Sequence, residues 1–133
     1  MLRCGPALCA VSVATAVELV PLIRLTGVPG APPYLLGLLV HRSQLSTVVD
    51  IAVLLGLGSS SPSRRGMVVR AASGQLVLPL THIQGPVTLE LMPALGMTSE
   101  FIVGVTGEPC PGARAVDTDR LARFLASREG ERE

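Results

Sequence analysis

The two halves of this chain repeat one pattern. Shifted by 67 residues, half of its 133, the sequence matches its own second half without a gap. Tyr34-Leu35-Leu36-Gly37-Leu38 falls on Phe101-Ile102-Val103-Gly104-Val105, Val49-Asp50 on Val116-Asp117, Leu54 on Leu121 and Leu57 on Phe124. Upstream, Val11, Val13, Ala16, Val20 and Leu22 fall on Leu78, Leu80, Ile83, Val87 and Leu89. Two aliphatic halves resemble each other by chance, but an aromatic, a Gly and an Asp at one spacing are harder to produce that way. A repeat this long predicts two similar lobes. They are placed at about 7–57 and 67–128, within one domain. The joint is a flexible 58–66 linker around Ser59-Ser60-Ser61-Pro62-Ser63.

Apolar residues make up 48% of the chain, enough for a packed core. Tyr34, Phe101 and Phe124 are the only aromatics, so that core is aliphatic. Eleven Arg stand against 10 acids, for a formal net charge of +1. That balance disfavours a nucleic-acid binder or a polybasic membrane binder. There is no Lys, which excludes Schiff-base chemistry and a Walker-type phosphate loop. Fourteen Gly and 11 Pro suit short strands and frequent turns better than a helical bundle. Three cysteines, Cys4, Cys9 and Cys110, cannot complete a disulfide framework, so free thiols in a reducing, cytoplasmic compartment are expected. No cysteine or histidine has zinc-site spacing, and no cofactor is implied. The uncharged run from Gly5 to Val17, ending near Ala14-Thr15-Ala16, has the outline of a secretory signal. Gly5-Pro6 and the alternation of Val11, Val13 and Thr15 favour strand instead. No apolar run approaches the ~20 residues that span a bilayer.

The element pattern follows. Met1 to Cys4 and Ala7 to Val13 read as a strand pair around Gly5-Pro6, and Thr15 to Val20 as a short helical turn. Leu35 to Val40 and Leu45 to Val49 read as strands, followed by a short helix with Asp50 as its N-cap and Gly56 as its stop. In the second lobe, Met67 to Ala71 and Leu76 to Leu80 form a hairpin around Ser73-Gly74. Phe101 to Val105 is the next strand. Asp117-Thr118 then opens a helix to about Arg128 with Leu121, Phe124 and Leu125 inward and a frayed end. Short strands and many turns favour small barrels over a parallel sheet.

Few residues invite chemistry. Asp50 and Asp117 could suggest an acid/base pair, but their repeat-equivalent places before helices predict two caps. His41 and His82 have no carboxylate or cysteine at ligand spacing and are expected to face solvent or the lobe boundary. No nucleophile motif is present. Arg64-Arg65 reads as solvated loop charge. Both faces of Leu35 to Val40 are apolar, so one face lies on the core and the other is free to line a groove. The chain is expected to bind and not to catalyse.

Three stretches resemble the CheW-like domain family. Val17-Glu18-Leu19 is similar to its Val-x-Glu-Val/Ile element. Val28-Pro29-Gly30-Ala31-Pro32-Pro33-Tyr34-Leu35-Leu36-Gly37 is close to its Pro-x-x-Pro linker, apolar strand and Gly. Val40-His41-Arg42-Ser43-Gln44-Leu45-Ser46-Thr47-Val48-Val49-Asp50-Ile51 resembles Asn-Leu-Arg-Gly-x-x-x-Pro-Val-x-Asp-Leu. The resemblance implies a mainly β fold of two packed five-stranded SH3-like barrels. It also implies a non-catalytic chemosensory adaptor that binds the cytoplasmic hairpin of a methyl-accepting chemoreceptor and couples it to a CheA-type histidine kinase. Partner binding would then fall to Glu18, Leu36, Gly37, Val40, Arg42 and Ser43, with Glu18 and Arg42 brought together at the partner face. The chain departs from the pattern at Val40 for Asn, Ser43 for Gly, Thr47 for Pro and Thr81 for Asp, so an accessory form that binds receptor but not kinase is the alternative. Loss of the Gly implies an altered turn at Ser43. An Arg-only, Ala-rich composition fits a GC-rich genome, and within the family the resemblance points to adaptors of a Frz-type gliding-motility system.

Overall fold

The computed structural model describes residues 1–23, 25–59, 63–86, 88, 91–92, 100–107 and 112–131. Its strands are β1 (Leu2–Cys4), β2 (Ala7–Ala10), β3 (Ala16–Pro21), β4 (Leu35–His41), β5 (Gln44–Val49), β6 (Arg65–Ala71), β7 (Gly74–Leu80), β8 (His82–Ile83), β9 (Leu91–Met92), β10 (Ile102–Thr106) and β11 (Arg114–Val116). Helix α1 (Ile51–Leu54) follows β5, and α2 (Thr118–Glu131) follows β11. The strands form a five-stranded sheet, β3-β6-β7-β5-β4, and a six-stranded sheet, β8-β1-β2-β11-β10-β9. The fold is mainly β and SH3-like, and the two-residue β9 is the extra strand.

The repeat is written into the strand registers. In the β6–β7 hairpin, Val69 faces Leu76 and Ala71 faces Gly74. Sixty-seven residues earlier, Leu2 faces Cys9 and Cys4 faces Ala7. The parallel pair β5–β7 sets Thr47 on Leu76, and β11–β2 sets Arg114 on Cys9. Both long hairpins carry a bulge at the same place, between Leu35 and Gly37 and between Ile102 and Gly104. Tyr34 O accepts from Asp50 N, and Phe101 O accepts from Asp117 N.

The sheets, however, do not divide the chain at its middle. Each contains the hairpin of one half and the last strands of the other: β6 and β7 complete the sheet of β3, β4 and β5, while β1 and β2 enter that of β8 to β11. The connections enforce this exchange. Thr81 alone separates β7 from β8, which lies in the other sheet. The parallel pairing of β5 and β7 needs a crossover, supplied by α1 and β6.

One core serves both sheets. Leu2, Cys4, Cys9, Val69, Leu78, Leu80, Phe101 and Leu121 meet in it, with Leu125 from α2. Cys4 and Cys9 are free and fully buried, acting as small apolar side chains. The neighbouring Cys9 thiol and burial both push the Cys4 thiol up. Cys110 lies outside the described residues. A second cluster, Val48, Val68 and Val77, fills the inside of the five-stranded sheet. Gly66 is small for that reason: a Cβ there would lie 2.6 Å from Val77 Cγ1.

Three expectations need correction. Thr15 to Val20 is not a helical turn: the turn is at 13–15, closed by Thr15 N and Ala16 N on Ser12 O, and Ala16 onward is β3. Pairing with β6, which sets Leu19 on Met67 and Val20 on Gly66, outweighs a weak local helical pattern. The strand read from Ala7 to Val13 ends at Ala10, because Ser12 to Thr15 turn the chain from one sheet to the other. Helix α2 extends to Glu131, past the expected end near Arg128.

Both predicted caps are formed. Asp50 accepts from Ala52 N and Val53 N, and its other oxygen accepts from Ser59 Oγ. Asp117 Oδ1 accepts from Arg120 N at 3.1 Å. Asp50 is fully buried whereas the Asp117 side chain is 38% exposed. Asp50→Ala should therefore cost about 2 kcal/mol and Asp117→Ala about 0.5–1 kcal/mol, read from urea unfolding. Equal costs would contradict this ordering. Thr118 Oγ1 donates to Arg70 O, and Asp119 Oδ1 accepts from Ala72 N, so the start of α2 is tied to the β6–β7 hairpin of the opposite sheet.

Candidate functional site

The site is built at the seam where the five-stranded sheet bends round on itself. Its edge strands are β3 and β4, and among the described residues no ladder joins them. Side chains do so instead. Glu18 on β3 receives Arg42 Nε at 3.0 Å on Oε1 and Arg42 Nη2 at 3.3 Å on Oε2. His41 Nε2 also bonds Glu18 Oε1. His41 Nδ1 lies 3.4 Å from Gln75 Oε1 on β7, and Ser46 Oγ on β5 donates to that oxygen at 3.5 Å. The hydrogen bond from His41 and then that from Arg42 hold the Glu18 carboxyl below the usual carboxylate range.

The hairpin turn presents Arg42. His41 pairs with Gln44, leaving Arg42 and Ser43 as a two-residue turn with φ of 50° and 66°. Paired positive φ values are those of a type I′ hairpin turn, whose twist matches the strands. Ser43 therefore remains in the left-handed region a Gly would favour, and the expected alteration of the turn has not taken the backbone out of it. A side chain there costs energy that Gly does not. Ser43→Gly should raise stability by up to about 1 kcal/mol in thermal unfolding, with the β4–β5 register unchanged. A loss of stability would show that Ser43 makes a compensating contact.

The β4 bulge sorts the remaining residues. After Leu36, the residues Gly37, Leu39 and His41 turn inward, while Leu38 and Val40 face out. Leu36 is half-buried and packs against the Val48, Val68 and Val77 cluster. Gly37 is buried, and a Cβ there would sit 2.9 Å from Thr26 O. Val40 is exposed, opposite the exposed Leu45. Of the six expected binding residues, the fold thus brings Glu18, Val40, Arg42 and Ser43 to one surface. Leu36 and Gly37 shape that surface from beneath.

Val20, Pro21, Ile23, Leu38, Val40 and Leu45 line an apolar groove of about 460 Å³ with Arg42 on its rim. Ile23, Val40 and Leu45 are 75%, 68% and 65% exposed, so this is an uncovered apolar patch beside a cation. A second groove of about 230 Å³ runs between the β5 and β7 strands and α2, where Leu45 and Thr47 face Ala122 and Leu125. Leu45 lines both and so stands between the two grooves.

His41 is the residue that sequence reasoning misplaced. It is buried at the floor of the apolar groove, and among the described residues its side-chain partners, Glu18 and Gln75, belong to the five-stranded sheet, away from the boundary between sheets. Local sequence carries no sign of this, because Glu18 and Gln75 are 23 and 34 residues away. His82 is exposed on β8, as expected. Among the described residues no three His, Cys, Asp or Glu side chains gather as a metal site. No described helix is long and apolar enough to cross a membrane.

Two interlocked SH3-like sheets, with an ion-paired tip beside an apolar groove, define a two-sheet β module. The family model of the CheW-like domain matches residues 1–106, and the chain belongs to that family. The crystal structure of the scaffolding protein TtCheW from Thermoanaerobacter tengcongensis is similar in fold. Its TM-score is 0.74 at 18% identity, over 90% of this chain and 88% of that one. No curated protein sequence matches the chain.

Proposed function

We propose that this chain is a non-catalytic chemosensory adaptor of the cytoplasm. It holds the cytoplasmic tip of a methyl-accepting chemoreceptor in a fixed position relative to a CheA-type histidine kinase, so that receptor state biases kinase activity. The observation that carries this reading is the meeting of Glu18 and Arg42 at an exposed turn beside an uncovered apolar groove, within a CheW-like fold. A receptor tip is a helical hairpin, and an amphipathic helix docks by laying its apolar stripe into such a groove. Val40, Leu45 and Ile23 supply the apolar contact, Arg42 and Glu18 the polar register, and Ser43 the turn that presents them. Leu36 and Gly37 support the strand from inside.

The exposed Val40 supports a second reading. The family pattern has Asn at this place, so the chain offers a partner an apolar side chain in place of an amide. An accessory adaptor that binds the receptor without the kinase would present such a changed face. Affinity capture of the tagged chain from its own cytosol, with mass spectrometry of the bound proteins, separates the two. Receptor with kinase supports coupling, and receptor alone supports the accessory form. Capture of neither contradicts both.

A further inference from the structure

The buried histidine of the seam is absent from the family pattern. Where Asn-Leu-Arg-Gly has Leu, this chain has His41. Among the described residues, the charged groups bonded to it or to its partners are Glu18, from β3, and Arg42, from the β4–β5 turn. Ser46 of β5 and Gln75 of β7 are the uncharged polar neighbours.

Both ring nitrogens of His41 face oxygen: Nε2 the Glu18 carboxylate, and Nδ1 the Gln75 carbonyl oxygen at 3.4 Å. An ionised carboxylate only accepts, so Nε2 carries a proton. With the Gln75 oxygen toward the ring, accepting also from Ser46 Oγ at 3.5 Å, a proton on Nδ1 completes the contact and makes the ring imidazolium. With the amide turned over so that its NH2 group faces Nδ1, a neutral ring completes the contact equally well. The network thus has two self-consistent states that differ by one proton. In the neutral state Glu18 is balanced by Arg42 alone. In the charged state two cations share one carboxylate, and the tip is net positive.

We propose that protonation of His41 regulates the docking site, weakening Glu18's hold on Arg42 so that an acidic group of the partner binds more tightly as pH falls. This rests on the docking role given above to Arg42. The 75% exposed guanidinium on the rim of an apolar groove is complementary to a carboxylate on an apolar helix. By linkage, partner binding in turn favours the protonated ring. His41 acts through Glu18, as a positioning residue.

The test follows the Arg42 Nε–H resonance by NMR from about pH 8 to pH 5, the range in which histidine changes charge. The wild-type chain should show an inflection that His41→Leu, the family's residue, abolishes. His41→Gln, which keeps a hydrogen bond but does not titrate, should abolish it too if the Leu variant fails to fold. Affinity for a purified receptor-tip hairpin should rise about twofold to fivefold over the same range in wild type, the size of one exposed charge contact, and stay flat in either variant. A wild type without the inflection, or a variant that keeps it, overturns the proposal. Binding with a flat pH profile in wild type overturns it as well. A hairpin that binds at no pH while the inflection persists contradicts the docking reading instead.

Discussion

Phe101→Ala is expected to lower the stability of the whole molecule by about 3–5 kcal/mol, the largest loss of any single truncation considered. Phe101 is 1% exposed and lies in the core shared by both sheets. Its ring packs against Phe124 of α2, with centroids 5.4 Å apart and planes tilted by 55°. Its carbonyl accepts from Asp117 N at the point where β11 gives way to α2. Removing the ring leaves a cavity between a sheet and the helix that closes over it, which few neighbouring aromatics could fill. Because that core draws on both sheets, both should melt together in one transition. Urea unfolding followed at once by circular dichroism and by Tyr34 fluorescence should give coincident, left-shifted curves. Separate transitions would mean that the sheets are independent units, contrary to the exchanged hairpins.

Arg42→Ala is expected to weaken receptor binding at least about tenfold while leaving the fold intact. The side chain is 75% exposed and, among the described residues, hydrogen-bonds to Glu18, itself partly solvated, so its removal disturbs little of the core. At an interface the same guanidinium is desolvated beside Val40 and Leu45 and makes directional contacts that Ala cannot replace. The effect should shrink as salt rises, since part of the attraction is charge. Unfolding of the variant would assign Arg42 to the seam's structure and not to its surface.

The repeat made much of the architecture legible. Tyr34 and Phe101 begin equivalent strands, Asp50 and Asp117 begin equivalent helices, and the paired residues recur at one offset. A repeat does not show which copy of a strand pairs with which. The exchange of hairpins depends on Thr81 being too short a link to keep β8 in the sheet of β7, and hydrophobic pattern carries no signal of that. The local pattern from Thr15 to Val20 is weak and suggests a helical turn, but β6 decides the conformation of Ala16 to Pro21. At the site, family motifs located Glu18 and Arg42. The bulge after Leu35 decided that Leu36 points inward and Val40 outward, which simple alternation along β4 does not give. The His41 cluster was out of reach for another reason: its members come from β3, β4, β5 and β7 and meet only when the sheet bends round.

The most direct test of the adaptor account is calorimetric titration of a purified chemoreceptor cytoplasmic hairpin, taken from the same genome, into the wild-type chain and into Arg42→Ala. Saturable binding to wild type is expected, with at least about tenfold weaker binding to the variant and unchanged circular dichroism. Equal affinities would remove Arg42 and its turn from the interface. No binding to wild type would contradict the adaptor function itself.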